Sequence, residues 1–287
     1  MVLEDYHTHN EMCNHAVGSI EDYIKKAIDK KLDLIGLSDH FPYEYLKSSS
    51  ILIEEVPYQE YAMSLDEIDL YLSTIQKLKE KYLNKIELRV AFEVDFFKSQ
   101  ESFLNLQLKN RLNNLDYILG SVHILHGKSR LFAFDDRRFL SMYKEYDKID
   151  NIYIEYYRKL QDMINSKDFD FDVVSHFDLP KKYNKRAIDK ELVMNEAMKT
   201  LELINKRDLT IEINTGGLRK EIKEQYPSIE IIEMMYDLGI PVLLGSDAHH
   251  PNEVGYKFNN MIKLLKNSGY NFLAHFNKRK RKLIEIN

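Results

Sequence analysis

Short apolar runs alternate with longer amphipathic stretches along most of the chain. Residues 2–7, 34–38, 87–94, 117–122, 172–175, 210–213 and 242–245 are dominated by Val, Ile, Leu and Tyr, which predicts strands. Residues 20–30, 65–82, 149–165, 190–205 and 230–238 place apolar side chains at helical spacing, which predicts helices with one buried face. Ser19 or Gly18 can cap the first helix, and Ser64 with Glu67 forms a capping box for the second. Repeated strand–helix alternation predicts parallel strands joined by right-handed crossovers. No internal repeat, low-complexity tract or Pro/Gly/Ser linker interrupts the pattern. A single domain over residues 1–287 is expected.

Polar residues collect at one end of these strands. The first run closes on His7 and His9, the second on Ser38, Asp39 and His40, and the third carries Glu93. The later runs lead to His123, His176, Asn214, and then Ser246, Asp247 and His249. Side chains two residues apart on a strand share a face, so His7 and His9 can reach one ion. His15 follows past a loop and can reach a second. A closed barrel brings all these strand ends to one mouth, where such folds place their chemistry. The expectation is an α/β fold, a seven-stranded (β/α)7 barrel with a metal centre at the C-terminal mouth of the strands.

Histidine usage supports this. Seven of the ten histidines lie at or just past strand ends. His126, in a loop before Gly127, and His275, on a C-terminal helix, are expected outside the site. His250 is expected beside a ligand rather than as one. Neutral imidazole and carboxylate suit zinc, iron and manganese alike. The seven histidines with Glu93 and Asp247 exceed the needs of one four-coordinate ion. With one bridging carboxylate they supply two or three.

Composition narrows the function. A net charge of −5 over 287 residues argues against a nucleic-acid binder. One cysteine, Cys13, suits a reducing compartment. No apolar run has the length of a membrane span, and the N-terminus lacks the basic and apolar regions of a secretory signal. The chain is expected to be cytoplasmic, with no nucleic-acid or membrane partner. Nothing in the sequence sets its oligomeric state.

The residues around His7 and His9, His15, Ser38 to His40, Phe92 to Phe96, Gly120 to His123, His176 to Asp178, Glu212 to Lys220 and Ser246 to His249 resemble the motifs of the polymerase and histidinol phosphatase (PHP) superfamily. Within it, the chain resembles the monofunctional histidinol-phosphatases over almost its whole length. The resemblance implies a distorted seven-stranded barrel with three divalent transition-metal ions (zinc, iron or manganese). His7, His9, Glu93 and Asp247 would hold the first ion. Glu93 would bridge to a second, also bound by His123 and His176, and His15, His40 and His249 would hold the third. Ala91 and Ser175 stand where family members usually have glycine.

Three divalent ions around a water suit hydrolysis of a phosphate ester by a metal-bound hydroxide. The chain shows no serine nucleophile elbow, phosphate-binding glycine loop or Cys-x5-Arg pattern, so no phosphoenzyme is expected. Glu93, Asp247 and His249 are the candidate catalytic residues. Arg219 is placed to grip the phosphate as a bidentate donor, with Lys181 and Lys182 as further candidates. Tyr43, Glu44 and Tyr45 are candidates for contact with the organic end of a small phosphorylated substrate. The resemblance implies L-histidinol phosphate, with other phosphate esters (a nucleotide, a cyclic phosphodiester or phosphotyrosine) or a non-catalytic PHP module as alternatives. Residues 47–59 form a long irregular stretch, either a lid or a surface excursion. The basic run at 278–282 is expected to be a solvated helix face.

Overall fold

Seven short parallel strands wind into a barrel in the computed structural model, which describes residues 2–48 and 56–286. The elements run β1 (Glu4–Asp5), α1 (Ile20–Asp29), β2 (Leu34–Leu37), α2 (Ile68–Tyr82), β3 (Glu87–Asp95), α3 (Glu101–Leu108), β4 (Tyr117–Ser121), β5 (Ile124–His126) and β6 (Leu131–Ala133). They continue with α4 (Ile149–Asn165), β7 (Val173–Val174), α5 (Lys190–Lys206), β8 (Thr210–Asn214), α6 (Ile229–Asp237), β9 (Val242–Gly245), α7 (Phe258–Asn267), β10 (Phe272–Asn277) and β11 (Lys280–Glu285). The barrel order is β1-β2-β3-β4-β7-β8-β9, and each neighbouring pair is parallel. β9 returns to β1: the Tyr6 amide donates to the Leu244 carbonyl at 2.9 Å, and the His9 amide to that of Ala248 at 2.9 Å. The fold is an α/β barrel of seven strands.

Local sequence explains the helices. Ser19 and Asp22 cap α1 reciprocally, and its Ile20, Tyr23, Ile24 and Ala27 form the buried stripe. Ser64 and Glu67 make the predicted box ahead of α2, with one short turn at Leu65–Glu67 before the α-helix proper. Among the described residues no helix is long and apolar enough to cross a membrane. Residues 49–55, the centre of the stretch read as a lid or surface excursion, lie outside the described residues.

Tyr6, Leu34, Ala91, Tyr117, Leu119, Val173 and Leu243 fill the barrel interior below the mouth, with Ala274 and Phe276 of β10. Tyr6 and Tyr117 meet edge to face at 5.1 Å. The interior is therefore packed with side chains; buried polar groups gather at the C-terminal rim, and a smaller set, Glu4, Arg89 and His275, lies at the other end.

The C-terminal segment departs from expectation. It is a β10–β11 hairpin, not a helix. Its two-residue turn, Lys278 and Arg279, has φ of 49° and 62°, left-handed values that such turns normally entrust to Asn or Gly. Asp116 holds the turn, its carboxylate accepting from the Lys278 amide at 3.1 Å and its carbonyl from the Arg279 amide at 2.9 Å. The basic run is thus partly structural. The Arg279 guanidinium pairs with Asp172, and Arg281 donates to the Asp208 carbonyl at 2.8 Å. Burial pushes the Asp172 carboxyl up to about 6, against the opposing pull of Arg279. His275 is buried on β10, with Nδ1 2.8 Å from Glu4 Oε1 and Nε2 3.3 Å from Arg89.

Candidate metal centre

Strand geometry carries the predicted donors to one point. β1 ends just before His7 and His9, whose rings face the barrel axis with Nε2 atoms 3.1 Å apart. Glu93 on β3 sits beneath them, fully buried. Its Oε2 lies 3.2 Å from His7 Nε2, 3.4 Å from His9 Nε2 and 3.3 Å from His40 Nδ1. Its Oε1 lies 2.8 Å from His176 Nε2 and 3.6 Å from His123 Nε2. Asp247 Oδ1 is 3.4 Å from His9 Nε2. On the outer side His15 Nε2 faces His249 Nε2 at 3.0 Å. His40 and His249 stack on His9, each at 4.3 Å between ring centres.

Three histidine pairs thus point Nε2 at Nε2: His7 with His9, His123 with His176 at 3.0 Å, and His15 with His249. The far nitrogens of five of these six rings are already engaged. His7 Nδ1 meets Glu212 at 2.7 Å, His9 Nδ1 meets Asp39 at 3.3 Å, and His123 Nδ1 meets Asp95 at 2.9 Å. His15 Nδ1 faces the Cys13 carbonyl at 2.9 Å, and His249 Nδ1 the Asp247 carbonyl at 3.1 Å. In these five, a neutral ring with Nδ1–H donated outward turns an Nε2 lone pair toward the site, whereas His176 Nδ1 is buried without a partner among the described residues and its Nε2 lies 2.8 Å from Glu93 Oε1. Two lone pairs at that distance repel unless a cation lies between them. Carboxylate or carbonyl behind imidazole is also the arrangement that orients metal-bound histidine. The donor set therefore fits divalent metal, and several of its triads lie close enough to share an ion.

Charge agrees with this grouping. Burial disfavours charge on His7, yet Glu212, Glu93 and Asp247 hold its pKa well above the usual imidazole value. His123 is likewise buried, and Asp95 and Glu93 raise it to about 10. Burial and the neighbouring His9 instead push His40 and His249 well down. Glu93 and Asp247 are held well below the ordinary carboxyl range: burial pushes each up, and the surrounding histidines outweigh it.

Ser175 finds a use for its hydroxyl. It lies 2.7 Å from the Ser121 hydroxyl, which donates to Glu93 Oε1 at 2.6 Å. Ala91 packs in the barrel interior. Gly245 cannot be replaced as easily, since a Cβ there would lie 1.8 Å from Glu212 Oε1 and 2.8 Å from His7 Cβ. Gly245→Ala should displace the carboxylate that orients His7 and cost about 1–3 kcal/mol. Metal content measured on the purified variant should fall with stability; full metal content would show that Glu212 tolerates the shift.

A cavity of about 910 Å³ opens above the cluster. Arg219, Lys182 and Tyr43 line it. Arg219 donates through one Nη to the carbonyls of Ser246 and Asp247, both at 2.8 Å, and its Nε lies 3.1 Å from Glu253. These bonds brace Asp247, whose φ is 54°. Tyr43 donates to Asp95, behind His123. Lys181 and Glu44 do not line the cavity. Lys181 is buried, 2.8 Å from Asp178, and Glu44 accepts from the Leu65 amide. Tyr45 donates to the Asp95 carbonyl at 2.8 Å. His126 ends β5 with its ring on the Gly127 carbonyl, and His250 accepts from the Asn252 amide at 3.2 Å. Neither joins the cluster.

Asp39, Asp95 and Glu212 stand within motifs read from the sequence but had no role assigned there. A signal existed: Asp95 is two residues from Glu93, and Glu212 two from Asn214, so each shares a strand face with a predicted rim residue.

Residues 5–216 match the family model of the PHP domain. A protein of Deinococcus radiodurans named as a probable histidinol-phosphatase is 31% identical over 267 residues, covering 93% of this chain and 94% of its own. The histidinol-phosphatase of Bacillus subtilis is 26% identical, covering 90% and 97%. The histidinol phosphate phosphatase of Lactococcus lactis, solved with zinc, L-histidinol and phosphate, superposes with a TM-score of 0.76 over 98% of both chains at 19% identity. On the match across most of its length and on these relatives, the chain belongs to the PHP domain family.

Proposed function

We propose that this protein is a metal-dependent phosphomonoesterase that hydrolyses L-histidinol phosphate to L-histidinol and phosphate. The observation that carries the reading is one cavity lined by seven of the nine donors and by a cationic wall, in a chain whose relatives are named histidinol-phosphatases. The assignment is His7, His9, Glu93 and Asp247 to one ion, Glu93, His123 and His176 to a second, and His15, His40 and His249 to a third. Bound divalent ions supply Lewis acidity, acidifying water and offsetting the charge of the phosphoryl oxygens.

The chain's own residues prepare that site. Glu212, Asp39 and Asp95 keep His7, His9 and His123 in the tautomer that turns Nε2 inward. Glu93 faces two histidine groups at once, one through each oxygen. Catalytic parts fall to Glu93, Asp247 and His249, all of which line the cavity. The unpartnered Nη1 of Arg219 is left for the phosphate. Tyr43, which also lines the cavity, is a candidate contact for the organic group. The free, buried Cys13 suits a reducing cytoplasm, and the protein reads as one domain.

Turnover of the metal-loaded enzyme on L-histidinol phosphate, a nucleoside monophosphate, phosphotyrosine and a cyclic phosphodiester tests this. Histidinol phosphate should exceed the others in kcat/KM by about 100-fold or more. A better rate on another ester would reassign the substrate, and no turnover of any would remove the enzymatic reading.

A further inference from the structure

The cations of the cavity wall are unequally committed. Lys182 donates to Asp135 at 2.9 Å. Arg138 is held by Asp136 and by Glu60 at 2.6 Å, and Arg137 pairs with Glu221. Arg219 has spent its Nε and one Nη on Glu253, Ser246 and Asp247, leaving only Nη1, buried and without a partner. Among the described residues, the lining cations whose charged group has no hydrogen bond or carboxylate partner are Lys220 and Lys223.

Lys220 differs from an ordinary surface lysine in what holds it. It follows the short turn Gly216–Arg219 after β8. That turn is pinned by the Gly216 amide on Asn214 Oδ1 at 2.8 Å and by the Lys220 amide on the Gly217 carbonyl at 3.0 Å. Its backbone is therefore fixed beside Asp247, while its ammonium remains uncommitted. Lys220 is exposed at the cavity wall; partial desolvation there, then Lys182 and Arg219, lower its pKa from the usual lysine value, with Asp247 and Glu253 opposing. Three cations on one wall repel one another, and two groups among them, the Lys220 ammonium and Arg219 Nη1, have no partner among the described residues. An anion between them relieves that repulsion and satisfies those donors.

We propose that Lys220, together with Nη1 of Arg219, receives the phosphate group of the substrate. The proposal rests on the reading of this cavity as a phosphomonoester site, and it moves the principal cationic contact from Arg219 to the next residue. Arg219 is a poor probe of phosphate binding by itself, because its removal also frees the carbonyls of Ser246 and Asp247 beside the metal ligands. Lys220 carries no such structural load.

The test uses metal-loaded enzyme with three variants, Lys220→Met, Lys220→Arg and Lys223→Met, and inorganic phosphate as the probe. Phosphate affinity is measured by calorimetry, alongside kcat/KM, metal content and Tm. Lys220→Met should weaken phosphate binding and lower kcat/KM by about tenfold or more each, since charge-assisted hydrogen bonds are lost. Lys220→Arg should recover most of the loss, and Lys223→Met should stay within about twofold of the parent, as expected for a charge that acts only through a screened field and not beside Arg219. Metal content and Tm should be unchanged in all three. Phosphate affinity of Lys220→Met within about twofold of the parent would overturn the proposal. So would an equal loss in Lys223→Met, which would show a diffuse field rather than a specific contact, or a parent enzyme that binds no phosphate. A parent that binds phosphate through Lys220 but fails to hydrolyse histidinol phosphate would support this inference while removing the proposed substrate.

Discussion

Glu93→Gln is expected to lower kcat/KM by about 10³-fold or more, roughly 4 kcal/mol of transition-state stabilisation. Glutamine keeps the shape and the backbone bonds, in which the Glu93 amide donates to the Ser38 carbonyl at 3.0 Å and its carbonyl accepts from the Phe41 amide at 2.8 Å. What it removes is the charge. One carboxylate oxygen faces His7, His9 and His40, and the other faces His123 and His176. An amide would turn NH2 donors toward one of these groups and leave the other with a weaker acceptor. Metal content should fall while Tm of the metal-free forms changes little. A Glu93→Gln enzyme with parental kcat/KM and full metal content would show that no bridging carboxylate is needed.

Metal removal should produce the largest change in stability. Ligand at about a thousand times its Kd contributes about 4 kcal/mol, and for a chain of this size that corresponds to a fall in Tm on the order of 10 °C. Calorimetry before and after chelation measures it, and an unchanged Tm would mean that the donor cluster binds metal only weakly. The pH dependence has a definite sign. In the metal-free protein, carboxylates overcome burial and raise the pKa values of His7, His9 and His123, the last to about 10. Their contribution to apoprotein stability is therefore complete below the unfolded imidazole pKa and is lost as pH rises through the folded values. His40 and His249 run the other way, and what they contribute is lost as pH falls through the unfolded imidazole pKa toward their lower folded values. Metal must displace the protons held by the first group. Affinity should rise with pH across the neutral range, and loading should release protons in a weakly buffered titration. Metal affinity that is flat with pH would show these imidazoles to be neutral beforehand.

Much of the fold was legible because a strand or helix buried on one face writes its period into the chain. β9 and α4 match their expected ranges, and the remaining barrel strands differ only at their ends. The hairpin at the C-terminus was not legible. Its turn lacks the Asn-Gly signal, and its left-handed backbone is held from outside by Asp116, more than a hundred residues away. The same basic run that reads as a solvated face supplies Arg279 and Arg281 as ties to the loops before β7 and β8.

The sequence by itself determined which donors exist and at which end of the strands they stand. Those are local properties, set by residue type and by the alternation of side chains along each strand. Only the tertiary structure decided what each donor can do. Which imidazole nitrogen turns inward depends on the acceptor behind it, and for His7 that acceptor is Glu212, 205 positions along the chain. Whether a cation is available to a substrate depends on who already holds it. Arg219 is bound to Ser246, Asp247 and Glu253, Lys181 is buried against Asp178, and Lys220 stands open in the cavity. Such pairings are contacts between distant segments, made only when the barrel closes and β9 returns to β1, so no spacing along the chain records them.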